Sequence, residues 1–113
     1  MPRRNINDAT APAAVTSAVQ QIGANVATAR KRRGLRQEDL TKKAGISKVT
    51  MNRIEAGALG TSIGAYTAVL WAMGLHDAVA RLAHPDDDVE GTTLEAARRP
   101  QRVSVSRQLS DDF

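Results

Sequence analysis

Glycines divide the middle of this chain into short helical segments, and their spacing constrains the fold more than any other sequence feature. Gly34, Gly45, Gly57 and Gly74 each follow a run in which apolar residues recur at helical spacing. Before the C-terminal tail, the sequence lacks the apolar–polar alternation of a strand. The spacing therefore predicts an all-α domain of five helices, over residues 17–33, 36–44, 48–56, 62–73 and 76–83.

The same periodicity predicts the buried side of each helix. The expected core residues are Val19, Ile22, Val26, Leu40, Ala44, Ile46, Met51, Ile54, Tyr66, Val69, Leu70, Met73, Val79 and Leu82. Residues 1–16 are polar, alanine-rich and interrupted by prolines, which predicts a flexible arm before the domain at 17–84. Residues 85–113 are predicted to form a mostly irregular tail, with a short strand at 102–106 that would need a pairing partner.

Composition excludes several classes of protein. The 113 residues suffice for one domain, and the absence of cysteine rules out disulfides and cysteine-ligated zinc and fits the cytoplasm. No segment is apolar enough to span a membrane, and Arg3-Arg4 is not followed by the apolar region of an export signal. Scarce aromatic residues argue against single-strand binding.

No catalytic or metal constellation stands out in the sequence. The two histidines are isolated, and there is no glycine-rich phosphate loop and no carboxylate pair in a plausible pocket. The acidic run at 86–88 lacks the spaced ligands of a calcium loop. We therefore expect a protein that is not an enzyme and that needs no metal or cofactor.

Charge is concentrated in one block. Residues 30–53 carry nine basic and two acidic side chains, whereas residues 84–113 carry seven acidic side chains and four arginines. A basic block within a folded region indicates a polyanionic partner or a solvated helix face, and charge alone does not decide between them.

The second and third predicted helices, joined at Gly45, form a helix-turn-helix over residues 36–57. Met51 and Ile54 meet the packing needs of the third helix, so its other face is free for a partner. Lysine and arginine can donate to guanine, asparagine can bridge adenine, and valine can pack on a thymine methyl group. The expected base-reading residues are Lys48, Val49, Asn52 and Arg53.

The segments at 34–40 (GLRQEDL), 44–47 (AGIS) and 50–57 (TMNRIEAG) resemble the Xre/Cro-type repressor family, over about residues 18–75. The resemblance implies a five-helix, lambda-repressor-like domain. It also implies that Gln37 contacts a phosphate and braces the recognition helix, that Lys48, Val49 and Arg53 read bases, and that Arg30 and Glu55 form a structural ion pair. Arg36 stands where the family often has a capping Ser or Thr, and Thr41 where it usually has alanine.

The DNA-binding mode follows from this motif. Phosphate contacts are expected from Arg36, Gln37, Ser47, Thr50 and Thr61, together with the loop at 58–62. The fold implies a twofold homodimer on a palindromic operator with half-sites about 10 bp apart. Trp71 is interpreted either as additional core or as part of a dimer interface with Val79 and Leu82 of the fifth helix.

Residues 59–102 are similar to regulators encoded beside HipA-like kinases, the HipB-type antitoxins. That resemblance implies an autoregulating antitoxin that also holds a Ser/Thr kinase toxin, with Leu109 and Phe113 as docking residues in the tail. The alternative is a stand-alone phage, plasmid or metabolic repressor with a solubilising tail.

Overall fold

A computed structural model describes residue 6 and residues 9–99. Those residues form helices and connecting turns and contain no strand, as the sequence predicts. The predicted strand at 102–106 and the docking residues Leu109 and Phe113 lie outside the described residues. The helices are α1 (Ala13–Arg32), α2 (Gln37–Ala44), α3 (Lys48–Ala56), α4 (Ile63–Ala72), α5 (Asp77–Ala80), a short 3-10 turn (Pro85–Asp87) and α6 (Val89–Arg98).

The chain divides into two compact units, Met1–Val79 and Ala80–Phe113. The predicted domain bounds of 17–84 stay a prediction. The second unit contains α6, where the sequence predicts a mostly irregular tail. Asp88 caps this helix by accepting the N–H of Gly91 at 3.0 Å, and the segment is rich in residues with high helix propensity. The small apolar content of the tail limits burial but does not prevent a capped helix.

The first unit has one apolar core. Val26, Leu40, Met51, Ile54 and Val69 are almost completely buried and are joined by Ala72 and Met73. Ala44, Ile46, Tyr66 and Leu70 pack around this centre. Full burial of side chains of this size contributes about 1.5–3 kcal/mol each. Most of the predicted core is therefore confirmed.

The helix ends nearest the recognition motif agree closely with the sequence, whereas α1 and α5 differ. Pro12 lies at the N-cap of α1, so the helix begins at Ala13 rather than at residue 17. The fifth helix is only Asp77–Ala80, shorter than the predicted 76–83. Leu82 lies beyond α5 and is 65% exposed, so its assignment to the core was wrong.

Helix α1 crosses α3 at a pair of glycines. A Cβ on Gly23 would lie 2.6 Å from the carbonyl oxygen of Ile54, and a Cβ on Gly57 would lie 2.5 Å from Cα of Gln20. The two backbones therefore pack directly against each other, which side chains at these positions would prevent. The predicted burial of Ile22 is wrong for this reason: Gly23 occupies the contact, and Ile22 is 43% exposed.

Candidate nucleic-acid interface

The turn between α2 and α3 is built from a glycine and a serine cap. Gly45 adopts a left-handed conformation (φ 73°), and its N–H donates to the carbonyl of Thr41 at 2.9 Å. Ser47 then starts α3, because its hydroxyl accepts the N–H of Thr50 at 3.1 Å. The hydroxyl of Thr41 donates to the carbonyl of Glu38 at 2.8 Å. Thr41 is larger than the alanine expected at this position, but its polar group is hydrogen-bonded within α2.

Helix α3 separates its buried side from an exposed polar side. Met51 and Ile54 have no exposed surface, whereas 67% of Val49 is exposed. Within the described residues, the cationic groups of Lys48 and Arg53 form no ion pair. The structure therefore brings the four predicted base-reading residues to one accessible face of α3, namely Lys48, Val49, Asn52 and Arg53.

A cleft of about 440 Å³ lies where the first turns of α3 and α4 meet the loop before α4. Ser47, Thr50, Arg53, Thr61 and Ser62 contribute to its walls. Both helices present backbone N–H groups at these ends, and the helix dipoles favour an anion there. The hydroxyl oxygen of Thr61 is buried and has no hydrogen-bond partner in the described structure. The cleft can therefore accept a phosphate group.

The start of α2 carries an exposed group of three charges. The Arg36 guanidinium lies 3.4 Å from the Glu38 carboxylate and 3.5 Å from that of Asp39. Asp39 also accepts the backbone N–H of Arg36 at 2.7 Å. This hydrogen bond helps to cap α2, where the Arg36 side chain itself forms no capping hydrogen bond. This backbone hydrogen bond, followed by the one from the Arg36 side chain, lowers the pKa of Asp39. The positive charge predicted to grip phosphate is thus partly compensated by neighbouring carboxylates.

A second charged group lies between α1 and α3 and is largely buried. Arg30 Nε donates to Glu55 Oε2 at 2.7 Å, and Arg30 Nη1 donates to the carbonyl of Leu35 at 3.0 Å. Gln37 Nε2 donates to Glu55 Oε1 at 2.9 Å. The side chains of Arg30 and Glu55 are 13% and 11% exposed, so this group belongs to the scaffold of α3. The phosphate contact expected of Gln37 stays a prediction.

The electrostatics of this buried group agree with an ion pair. Burial raises the pKa of Glu55, but hydrogen bonds from Arg30 and Gln37 outweigh it and leave the pKa below its ordinary value. The hydrogen bond to Glu55 is the main cause that raises the pKa of Arg30. Both groups therefore stay charged over the whole neutral pH range.

Sequence reasoning missed the role of Gly23. The signal was a glycine in the middle of a long helix, between Val19 and Val26 on the packing side, where a glycine is costly unless the backbone needs close approach. Of the two interpretations of Trp71, the one as additional core is wrong, because the side chain is 52% exposed. Val79 is half-buried, and its role and that of Leu82 in a dimer stay predictions.

Two other kinds of site are absent from the part of the chain that the structure describes. No cluster of three or more His, Cys, Asp or Glu residues there could hold a metal ion. No helix among the described residues has both the length and the apolarity needed to cross a bilayer.

Comparison with known proteins agrees with this geometry. A family model described as a helix-turn-helix domain matches residues 21–83, more than half of the chain. Neither the curated proteins nor the solved structures contain a match. The matched range contains the whole of α2, α3 and α4, and the domain is of the DNA-binding helix-turn-helix class.

Proposed function

The chain belongs to the helix-turn-helix domain family. From that premise we propose that it is a transcriptional repressor that binds double-stranded DNA in a sequence-specific way. One observation carries the proposal. Helix α3 buries Met51 and Ile54 completely while Lys48, Val49, Asn52 and Arg53 are exposed on its other side. A solvated helix gains nothing from an exposed valine between cations, whereas a major groove offers thymine methyl groups beside guanine acceptors.

In this proposal α3 lies in the major groove and reads base edges. Lys48 and Arg53 donate to guanine O6 and N7, Asn52 pairs with adenine, and Val49 contacts thymine. The buried contacts of Glu55 with Arg30 and Gln37 hold α3 at a fixed angle to the rest of the domain. A rigid support matters because base readout depends on hydrogen bonds with narrow geometry.

Phosphate contacts set the register of the helix in the groove. The cleft between α3 and α4 is suited to one phosphate, with hydroxyl donors from Thr50 and Thr61, whereas the Ser47 hydroxyl donates to Thr50 Oγ1 at 3.0 Å and positions it. Arg36 and Gln37, at the start of α2, contact the sugar–phosphate backbone of the DNA. Such a regulator acts as a homodimer on a palindromic operator in the bacterial cytoplasm, at the nucleoid.

Selection from a pool of random-sequence duplexes tests the proposal directly. The protein should enrich one motif, and fluorescence anisotropy should show tighter binding to the selected duplex than to its scrambled form. Lys48→Ala and Asn52→Ala should each reduce that preference about tenfold or more. Arg98→Ala, which removes a cation from α6 in the second unit, is the control and should not change it. Equal affinity for selected and scrambled duplexes would contradict sequence-specific reading.

A second candidate function is that of an antitoxin which also binds a HipA-like Ser/Thr kinase. The exposed apolar side chains of α6 support this candidate, because a protein partner could cover them. Val89 and Leu94 are 74% and 54% exposed, and no α6 residue is buried. Co-expression with a kinase-like protein encoded beside this chain tests the idea. The two should elute together, and Leu94→Ala should weaken the complex. A chain that elutes alone supports the stand-alone repressor instead.

A further inference from the structure

The outer side of α4 is an apolar surface without any charged residue. Ile63, Gly64, Thr67, Ala68 and Trp71 recur at the spacing of one helix face, and the ten residues of α4 include no Asp, Glu, Lys or Arg. A helix that is apolar on all sides is normally buried. Here, however, Ile63 is 65% exposed and Trp71 is 52% exposed. We call this exposed apolar surface the α4 face.

We propose that the α4 face packs antiparallel against the α4 face of a second copy of the chain, with Trp71 of each copy lying over Gly64 of the other. The pattern of side-chain size supports this pairing. Gly64 and Ala68 leave a shallow gap on the helix surface, and a Cβ built at Gly64 would meet only the Ser62 hydroxyl, at 3.8 Å. The gap is thus open on its outer side.

A twofold axis between Thr67 and Ala68 makes this face complementary to itself. Antiparallel pairing about that axis sets Trp71 opposite Gly64 of the second copy and Thr67 opposite its Ala68. The large side chain at one end of each helix then meets the small residue at the other end of its partner. Residues 64 and 71 are two helical turns apart, about 10 Å, so both contacts form at once.

The polar groups of the face do not oppose its burial. The Thr67 hydroxyl donates to the Ile63 carbonyl at 2.7 Å and leaves its methyl group to the surface. The Ser62 hydroxyl accepts the N–H of Ala65 at 3.1 Å. Since the Thr67 hydroxyl has its acceptor within α4, covering it costs little desolvation free energy.

The size pattern favours a second copy over an unrelated partner, because the large Trp71 and the small Gly64 lie at equal distances on either side of the twofold axis. The charge-free α4 face also brings no like charges into contact when two copies meet. The α4 face is only about 15 Å long, so the area that it can bury is small beside that of standard protein interfaces. We therefore expect a weak dimer, with a Kd of the order of micromolar.

This inference deepens the proposed function, because two recognition helices would then read the two halves of a palindrome, but its test needs no DNA. Trp71 is the only tryptophan of the chain, so its fluorescence reports directly on the interface. Raising the concentration from about 0.1 to 100 μM should shift the emission to shorter wavelength as the indole is buried. Sedimentation equilibrium should show the mass rising from monomer to dimer over the same range.

An exchange of large and small residues makes the test specific. Trp71→Ala and Gly64→Leu should each weaken self-association about tenfold or more, the first by removing the side chain and the second by filling the gap. The double variant, in which the introduced leucine of one copy faces the introduced alanine of the other, should regain most of the loss. Leu94→Ala, which truncates a similarly exposed side chain on α6, is the control and should leave self-association unchanged. Circular dichroism of each variant checks that the fold is retained.

Three outcomes overturn the inference: a monomer at about 100 μM with constant emission, a dimer that neither single variant weakens, or a double variant no better than the single ones. A monomeric protein that still binds its selected duplex would disprove the α4 pairing and leave DNA recognition intact. A dimer that enriches no duplex sequence would do the reverse.

Discussion

Two arginines of this domain pair with carboxylates, and their surroundings give the pairs different roles. Arg30 and Glu55 lie between α1 and α3 with side chains only 13% and 11% exposed. Arg36 and Glu38 lie at the start of α2 with side chains 73% and 58% exposed. The first pair is shielded from solvent and holds α3 to the rest of the domain, whereas the second is open to solvent, where we propose that Arg36 contacts a phosphate. Burial, rather than the residue types, separates scaffold from binding surface.

The largest effect on the free energy of unfolding is expected when one acidic residue is removed from each pair in turn. Glu55→Ala should lower the free energy of unfolding by about 3 kcal/mol, because it leaves the Arg30 guanidinium buried without its partner. Glu38→Ala should change it by about 0.5 kcal/mol or less, since an exposed pair contributes little. Chemical denaturation measures both, and similar losses for the two variants would refute the distinction.

The pH dependence of stability should differ in the same way. Glu55 has a folded-state pKa below its unfolded value of about 4.3, so its contribution is fully present above that pH. The contribution is lost as the pH falls through the folded pKa. Glu55→Gln should therefore show a smaller stability loss than the parent protein between about pH 5 and pH 2. An unchanged slope would show that Glu55 is not charged in this pair.

Gly23→Ala sharpens the comparison, because the buried pair needs the close approach of α1 and α3. The added methyl group would lie 2.6–2.8 Å from backbone atoms of Ile54, Glu55 and Gly57. We expect a loss of about 1–2 kcal/mol, in which overpacking outweighs the helix-propensity gain of alanine. Thr28→Ala, on an exposed position of the same helix, should be nearly neutral in the same denaturation experiment.

The smallest effects are expected on the exposed side and concern DNA rather than stability. Arg53→Ala should weaken binding to the selected duplex more than to its scrambled form, whereas Arg36→Ala should weaken both about equally. Arg36→Ala should lower the salt slope by less than one full phosphate contact, because Glu38 and Asp39 already compensate part of its charge. Equal losses on both duplexes for Arg53→Ala would assign Arg53 to the phosphate cleft.

The sequence predicted the centre of the domain better than its edges. The bounds of α3 and the exposure of its outer face follow from Ser47, Gly57 and the spacing of Met51 and Ile54, which are local signals. The predicted burial of Ile22 was wrong because periodicity alone gives the direction of an amphipathic face only approximately. The neighbouring contact at Gly23 rotated that face by about one residue. Helix α6 was not predicted because its signals are local, namely the Asp88 cap and the favourable helix propensity of residues 94–98, whereas a low apolar content is typical of an irregular tail.

By itself the sequence determined an all-helical domain and the helix-turn-helix spacing, and it identified the four exposed side chains of the recognition helix. Each of these depends on residues fewer than about ten positions apart, so caps, glycines and periodicity encode them. Only the tertiary structure decided that α1 meets the backbone of α3 at Gly23, that Thr61 joins Arg53 around one cleft, and that Trp71 stays exposed. Such facts depend on the packing of helices against each other, which a local pattern cannot specify.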